Sequence, residues 1–316
     1  MRLVVAGSPA AAVPTLRRLA ATDHEIVAVL TRPPTPQGRK RVLTPTPVAV
    51  AAEELGLPVI TASRVDADVT ERLRLLGPDL GVIVAYGALL RRAALDVPRH
   101  GWLNLHFSSL PAFRGAAPVQ RAVMAGERST AATVFRLVEE LDAGPVYASE
   151  PFPIGPDATA GEVLAAMAET GAELVARVVD DVAAGRAVGV AQVGEPTTAP
   201  KTTSADGHVA FDRPAAVVHA HVRGVTPEPG AYAYLGATRV KLLRTARTTP
   251  TTRPAGLVTT TEDLAPGALG LVGGALRVGT ATEPLELLEV QPAGGRPMPG
   301  ASWARGLGDL TSAVLA

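Results

Sequence analysis

The chain contains no cysteine in its 316 residues. Disulfides, thiolate metal sites and thiol nucleophiles are therefore excluded, and any acid, base or nucleophile must come from oxygen or nitrogen groups. Aromatic residues make up only 3% of the chain, so its cores are built from alanine, valine and leucine. Charge of one sign is also lacking, since 30 basic residues meet 30 acidic ones. A globally basic surface, the usual footprint of a nucleic-acid binder, is missing, and any contact with nucleic acid has to be local. No apolar run approaches the roughly 18 residues that a membrane span needs. The opening MRLVVAGSPAAAVPTL is a weak mimic of a secretory leader, but Gly7, Ser8 and Pro9 interrupt it and a strand-turn-helix explains it better. A cytoplasmic protein is expected.

What is present fits a soluble globular chain: 47% of residues are apolar and 19% charged, with length for two domains. Leu3 to Ala6 is a continuous apolar run, as expected of a parallel strand covered on both faces. Helical spacing follows from Pro14 to Ala21, then a strand from Glu25 to Thr31, a helix from Pro45 to Leu55 and a short strand from Pro58 to Thr61. A helix from Asp66 to Leu76 ends at Gly77-Pro78, and Leu80 to Ala85 is the most apolar strand. This alternation predicts an α/β fold with a doubly wound, mostly parallel sheet, whose site lies at the carboxyl ends of its strands.

A strand from Val146 to Ile154 and a long helix from Thr159 to Ala184 come next, the latter opened by a capping box of Thr159 and Glu162. Residues 191–206 are polar and turn-rich and read as a linker between a domain over 1–190 and another over 207–316. The second domain has one helical segment, Pro214 to Val222. Short alternating runs follow it at 231–234, 238–243, 255–260, 268–272, 276–279 and 285–291, which predict a small β-barrel.

The stretch from Gly101 to Gly144 carries the chemistry. Asn104 and His106 stand two apart at a strand end and so share a face. A turn-forming run, Ser108-Ser109-Leu110-Pro111, leads to Arg114-Gly115-Ala116-Ala117-Pro118, a short helix from Val119 to Ala125 and a strand from Thr130 to Leu137. That strand delivers Glu139-Glu140-Leu141-Asp142-Ala143-Gly144, in which the small residues after Asp142 permit a tight turn that aims it inward. An amide and an imidazolium can hold a developing oxyanion, and a nearby carboxylate can orient the ring and raise its pKa. These groups suit acyl transfer. The bland reading makes His106 structural and the acidic loop a solvated one.

Other features weigh less. His219 and His221 could be metal ligands, but no third ligand cluster lies near them in sequence, and no metal is expected. Gly7 stands in Ala6-Gly7-Ser8-Pro9, without the further glycines that close approach to a pyrophosphate demands, so a nicotinamide cofactor is not expected. Arg39, Lys40 and Arg41 lie in a Pro/Gly-rich loop free of acidic residues, either a solvated lid or a basic finger for phosphate. Arg239, Lys241, Arg244 and Arg247 could form a basic face despite the neutral total.

These residues resemble the methionyl-tRNA formyltransferases over almost the whole chain. Ala6-Gly7-Ser8-Pro9 is similar to that family's AGTP opening, Thr31 to Val48 to its basic insertion loop, and Val84-Ala85-Tyr86-Gly87 to its VAYG strand end. Asn104 to Pro111 with Arg114 to Pro118 resembles NxHxSLLPxxRGAAP, and Leu141-Asp142-Ala143-Gly144 resembles LDTG. Lys201, Pro229-Gly230-Ala231 and Gln291-Pro292-Ala293-Gly294 resemble its C-terminal pattern. Ser109 stands where the family has Leu, and Ala112-Phe113 where it has Arg-Trp.

The resemblance implies a Rossmann-like formyltransferase domain followed by an OB-like barrel that grips tRNA. It implies transfer of a formyl group from 10-formyltetrahydrofolate, as co-substrate, to the methionine α-amine of initiator methionyl-tRNA. Carried over, Asn104 and a protonated His106 would hold the oxyanion, and Asp142 would orient the ring and help the amine lose its proton. Ser108, Ser109, Leu110 and Pro111 would line the folate site, with backbone near Val84, Tyr86 and Gly87 against the pterin. Arg39, Lys40 and Arg41 would enter the acceptor stem. A monomer without a metal or a membrane partner is expected. The alternative is a folate-dependent N-formyltransferase acting on an amino sugar nucleotide, which would have no need of the basic loop.

Overall fold

The computed structural model describes residues 1–38, 40–248 and 264–316. In chain order they form β1 (Arg2–Gly7), α1 (Val13–Ala20), β2 (Glu25–Thr31), β3 (Thr35–Gln37), β4 (Val42–Thr44), α2 (Pro47–Glu54) and β5 (Val59–Thr61). Then come α3 (Ala67–Leu75), β6 (Leu80–Val84), α4 (Arg92–Leu95), β7 (Trp102–His106), α5 (Pro118–Met124), β8 (Ser129–Arg136), β9 (Val146–Pro153) and α6 (Ala160–Ala183). The remainder is α7 (Ala215–Gly224), β10 (Tyr232–Leu235), β11 (Thr238–Arg247), β12 (Leu269–Val272), β13 (Ala275–Val278), β14 (Leu285–Pro292), β15 (Met298–Pro299) and α8 (Gly300–Leu307). Two compact units result, one of Met1–Pro118, Ser129–Phe152 and Leu164–Pro200, the other of Val119–Arg128, Pro153–Val163 and Lys201–Ala316.

In the first unit a seven-stranded sheet runs in the order β5-β2-β1-β6-β7-β8-β9. Its pairs from β5 to β7 are parallel, and β7 meets β8 antiparallel. β1 and β6 are buried almost throughout, as their unbroken apolar runs require of strands covered on both faces. The order reverses at β1, which pairs with β2 on one side and β6 on the other, so the switch-point crevice lies beyond the ends of β1 and β6. Gly7 allows that junction, because a Cβ there would come within 2.6 Å of the Ala12 Cβ and 2.9 Å of the Val84 carbonyl oxygen. Its role is close packing of two strand ends. On the other face, Leu105 of β7 packs on Gly171 of α6, which leaves Asn104 and His106 on the opposite side of the strand.

The basic loop holds structure that alternation could not show. β3 and β4 pair antiparallel, with Thr35 opposite Thr44 and Gln37 opposite Val42, into a two-stranded hairpin whose outer residues are exposed. Proline at three positions in 33–36 masks the strand pattern of its first half.

The second unit is an antiparallel sheet in the order β10-β11-β14-β13-β12, with β15 added on β14. Val218 and Val222 of α7 pack with Leu242, Leu285, Leu287, Val290 and Trp303 in one core. The sheet curls, and the last residues bridge its two edges. The Tyr234 amide donates to the Ala316 carbonyl at 2.7 Å, the Leu315 amide to Gly267 at 2.8 Å and the Leu269 amide to Ala313 at 2.9 Å. The barrel expected from short alternating strands is thus a curled sheet with its edges joined by an irregular tail. α8 was not foreseen, since Gly300 and Gly306 weaken its helical propensity, and it forms by burying Trp303 and Ala304. The strand expected at 255–260 lies outside the described residues.

Candidate active site

β7 ends at His106, whose ring is buried, and two neighbours define its state. Its Nε2 lies 3.0 Å from the Phe113 carbonyl oxygen. That oxygen can only accept, so Nε2 carries the proton and Nδ1 is the titrating nitrogen. Nδ1 faces Oδ2 of Asp142 at 3.9 Å, an ion-pair separation that is too long for a direct hydrogen bond. Burial pushes the His106 pKa below the usual imidazole value, and this outweighs the opposing pull of Asp142 and the Phe113 carbonyl. Burial thus favours the neutral form of the resting ring. The carboxylate does favour the charged form, but desolvation is the larger influence.

Asp142 occupies the left-handed region at φ 48°, a conformation uncommon outside glycine and asparagine. Its carboxylate is held by the Gly115 amide, which donates to Oδ2 at 2.7 Å. Gly115 has φ 127°, and a Cβ on it would meet the Ala199 carbonyl oxygen at 2.7 Å. Asn104 is half-buried on the same face of β7 as His106, and its amide has no hydrogen bond among the described residues. The structure thus brings an amide, an imidazole and a buried carboxylate to one strand end.

The residues expected to line a folate pocket divide. Ser108 is fully buried; its hydroxyl donates to the Ala112 carbonyl at 2.6 Å and its own carbonyl accepts from Thr133 Oγ1 at 2.7 Å. It shapes the turn from inside, whereas Ser109 is exposed and Leu110 and Pro111 are half-buried. The Val84 and Tyr86 side chains lie in the core, the Tyr86 hydroxyl donating to the Ala62 carbonyl at 2.8 Å, so only their backbone could meet a ligand. Around them Ser8 Oγ donates to the Tyr86 carbonyl at 3.0 Å and Arg32 Nη1 to the Gly87 carbonyl at 2.7 Å. A cavity of about 940 Å³ lies beside Gly87, walled by Ser63, Arg64, Asp66 and Leu89 among others. Another of about 350 Å³ is bordered by Arg92, Asp96, Leu137, Val138 and Glu139.

Lys40 and Arg41 stand exposed at the tip of the β3–β4 hairpin, while Arg39 lies outside the described residues. The β11 cations separate into two sets. Arg244 and Arg247 are paired with Glu162 and Glu283, whereas the Arg239 guanidinium lies 3.7 Å over the Tyr232 ring and Lys241 is opposite Tyr232 in register. The His219 ring bonds Thr245 Oγ1 at 2.8 Å and the Pro156 carbonyl at 3.2 Å, and His221 bonds the Asp206 carbonyl at 2.7 Å. Both rings are tied into the protein, and no group of three or more potential metal-binding residues occurs among the described residues.

Sequence reasoning missed the parts that act through the backbone or from far along the chain. The Phe113 carbonyl and the Gly115 amide carry no residue-type signature. Gln192 and Thr197, within the stretch read as a linker, bind the site loops: Gln192 Nε2 donates to the Asp142 carbonyl at 2.7 Å and Thr197 Oγ1 accepts from the Phe113 amide at 2.8 Å. A lone glutamine in a polar stretch offers no signal that could have found it.

Comparison with known proteins matches residues 1–179 to the formyl transferase family and 201–308 to the formyl transferase C-terminal domain. A methionyl-tRNA formyltransferase of Clavibacter michiganensis subsp. michiganensis is 53% identical over 307 residues, 97% of each chain. The chain belongs to the methionyl-tRNA formyltransferase family. Among solved structures, the methionyl-tRNA formyltransferase from Clostridium thermocellum aligns with a TM-score of 0.56 at 13% identity, over 79% of this chain and 95% of that one. An N-formyltransferase from Helicobacter canadensis, in complex with folinic acid and dTDP-3-aminofucose, aligns with a TM-score of 0.65 at 14% identity, over 90% and 98%. These distant likenesses show the shared formyltransferase fold, while the identity to methionyl-tRNA formyltransferases extends through the C-terminal unit.

Proposed function

We propose that the protein transfers the formyl group of 10-formyltetrahydrofolate to the α-amine of methionine on initiator methionyl-tRNA. The observation that carries this reading is the His106–Asp142 pair at the end of the strand that also presents Asn104, in a chain that matches a methionyl-tRNA formyltransferase over 97% of its length. The attacking amine forms a bond to the formyl carbon, and the oxygen that gains charge is met by the Asn104 amide. As this bond forms, His106 Nδ1 takes a proton from the amine, and Asp142 and the Phe113 carbonyl stabilise the resulting imidazolium. The bond from N10 to the formyl carbon then breaks, and the same proton passes to N10. One formyl group and one proton have changed places, and the enzyme is restored.

The folate would lie at the switch-point crevice, against the backbone of residues 84–87 and the exposed side of Ser109 to Pro111. For the tRNA, each unit offers a local basic feature: the hairpin tip with Lys40 and Arg41, and the Tyr232, Tyr234, Arg239 and Lys241 face of the curled sheet. A cation over an aromatic ring beside further positive charge suits stacking and phosphate contact without sequence readout. A steady-state formylation assay with methionyl initiator tRNA tests this reading. Turnover by the wild type that falls sharply, to a measurable residue, in Asp142→Asn supports it; folate and tRNA binding without turnover in either form would reduce the protein to a binding module.

A further inference from the structure

The Asp142 turn is supported by residues far along the chain. The Asp142 backbone is held at φ 48°, a conformation that costs roughly 1–3 kcal/mol outside glycine and persists only where the surroundings impose it. Two carbonyl groups of its turn, those of Asp142 and Gly144, point toward one side chain from residue 192. Gln192 Nε2 donates to both, at 2.7 and 2.9 Å, so both protons of its amide are used. Its Oε1 accepts from Arg114 Nη2 at 2.8 Å and lies 3.2 Å from Nε. A guanidinium only donates, so this pairing fixes which end of the amide is oxygen and aims the other end at the turn. Arg114 is itself anchored, its amide donating to the Thr197 carbonyl at 2.8 Å and its carbonyl accepting from the Ala199 amide at 2.7 Å. The next residue, Gly115, supplies the donor to the Asp142 carboxylate.

We infer that Gln192, oriented by Arg114, is a positioning residue for Asp142, holding the acidic turn where its carboxylate faces His106 Nδ1 and stabilises the imidazolium. This rests on the proposed formyl transfer. One strand of chain, residues 192–199, thereby ties together the loop that bonds Nε2 of His106 and the loop that faces Nδ1. A displacement of about 1 Å at a reacting group can cost on the order of a hundredfold in rate, so a clamp without any contact to substrate can govern turnover.

The test uses Gln192→Ala and Gln192→Met, the second keeping the shape while removing both donors, so it carries the test should the first not fold. The readouts are kcat, KM for each substrate, and the titration of His106 by NMR without substrate. We expect kcat to fall about tenfold to a hundredfold with both KM values nearly unchanged. The His106 titration should move to lower pH, because the carboxylate that favours its charged form drifts away. In an Asp142→Asn background, Gln192→Ala should cost less than about threefold, since the two residues act in series. An equal loss in both backgrounds, or a loss of kcat with an unmoved His106 titration, would overturn the inference. The titration needs no turnover, so a wild type that fails to formylate methionyl-tRNA would sink the reaction and leave the clamp to be judged on its own.

Discussion

At His106 two influences oppose each other: burial favours the neutral ring, and Asp142 with the Phe113 carbonyl favours the charged one. Burial is the larger, so the ring rests ready to accept a proton at Nδ1. The pH dependence follows with a definite sign. Activity limited by the free base should be retained above the His106 pKa and lost as pH falls through an inflection below the usual imidazole value of about 6.5. Asp142→Asn removes an influence that raises this pKa, so the residual activity should keep its acid limb, moved to lower pH. A kcat/KM profile of both forms checks this, and a shift toward higher pH would contradict it. Asn104 is assigned to the oxyanion, and Asn104→Ala should lower kcat on the order of a hundredfold to a thousandfold while KM for tRNA changes little. At this scale the sequence was informative where a side chain's type and spacing mark its place. That Asn104 and His106 share a strand end and that Asp142 turns toward it was readable from strand spacing and from Ala143-Gly144 after the acid, but the balance of influences on the ring was not, because desolvation depends on neighbours absent from the local sequence. Phe113, which departs from the family pattern, works through its backbone, so a change of side chain there leaves the His106 contact intact.

Among elements, the site is an assembly of turns hung on rigid strand ends. Gly115 tests this most sharply, since φ 127° and a Cβ 2.7 Å from the Ala199 carbonyl both forbid a side chain. Gly115→Ala should destabilise by roughly 1–3 kcal/mol and lower kcat, because the amide that holds Asp142 must shift. Thermal melts and formylation rates of this variant provide the check. At the start of α6, Thr159 and Glu162 exchange reciprocal hydrogen bonds, Thr159 N to Glu162 Oε2 at 2.8 Å and Glu162 N to Thr159 Oγ1 at 3.3 Å. Thr159→Ala should cost about 1 kcal/mol, measurable by denaturant unfolding, with the catalytic rate unaffected. That cap was legible in four residues because its chemistry is local. The β3–β4 hairpin was not, since its strands are three residues each and proline-rich, and α8 was not, since its stability comes from burying Trp303 rather than from propensity. The segment from Gln192 toward the site belongs with these: residue 192 meets residue 142 across 50 positions of chain.

For the whole molecule, the neutral total charge conceals two local basic features. The basic hairpin tip belongs to the unit with the candidate active site, and the tyrosine-and-cation face belongs to the curled sheet. Periodicity sufficed for both architectures, because unbroken apolar runs mark parallel strands and short alternating runs mark an antiparallel sheet. The joining of the sheet's edges by residues 313–316 was invisible, as the tail pairs with segments far earlier in the chain. Removing 312–316 should expose two strand edges and lower the unit's melting temperature by several degrees. The central claim is tested most directly by offering 10-formyltetrahydrofolate with either methionyl initiator tRNA or an amino sugar nucleotide, using wild type and a Lys40→Ala/Arg41→Ala double variant. Formylation of the tRNA alone is the predicted result, with a marked rise in KM for tRNA and a weaker salt dependence in the double variant. Formylation of the sugar nucleotide, with none of the tRNA, would contradict the account.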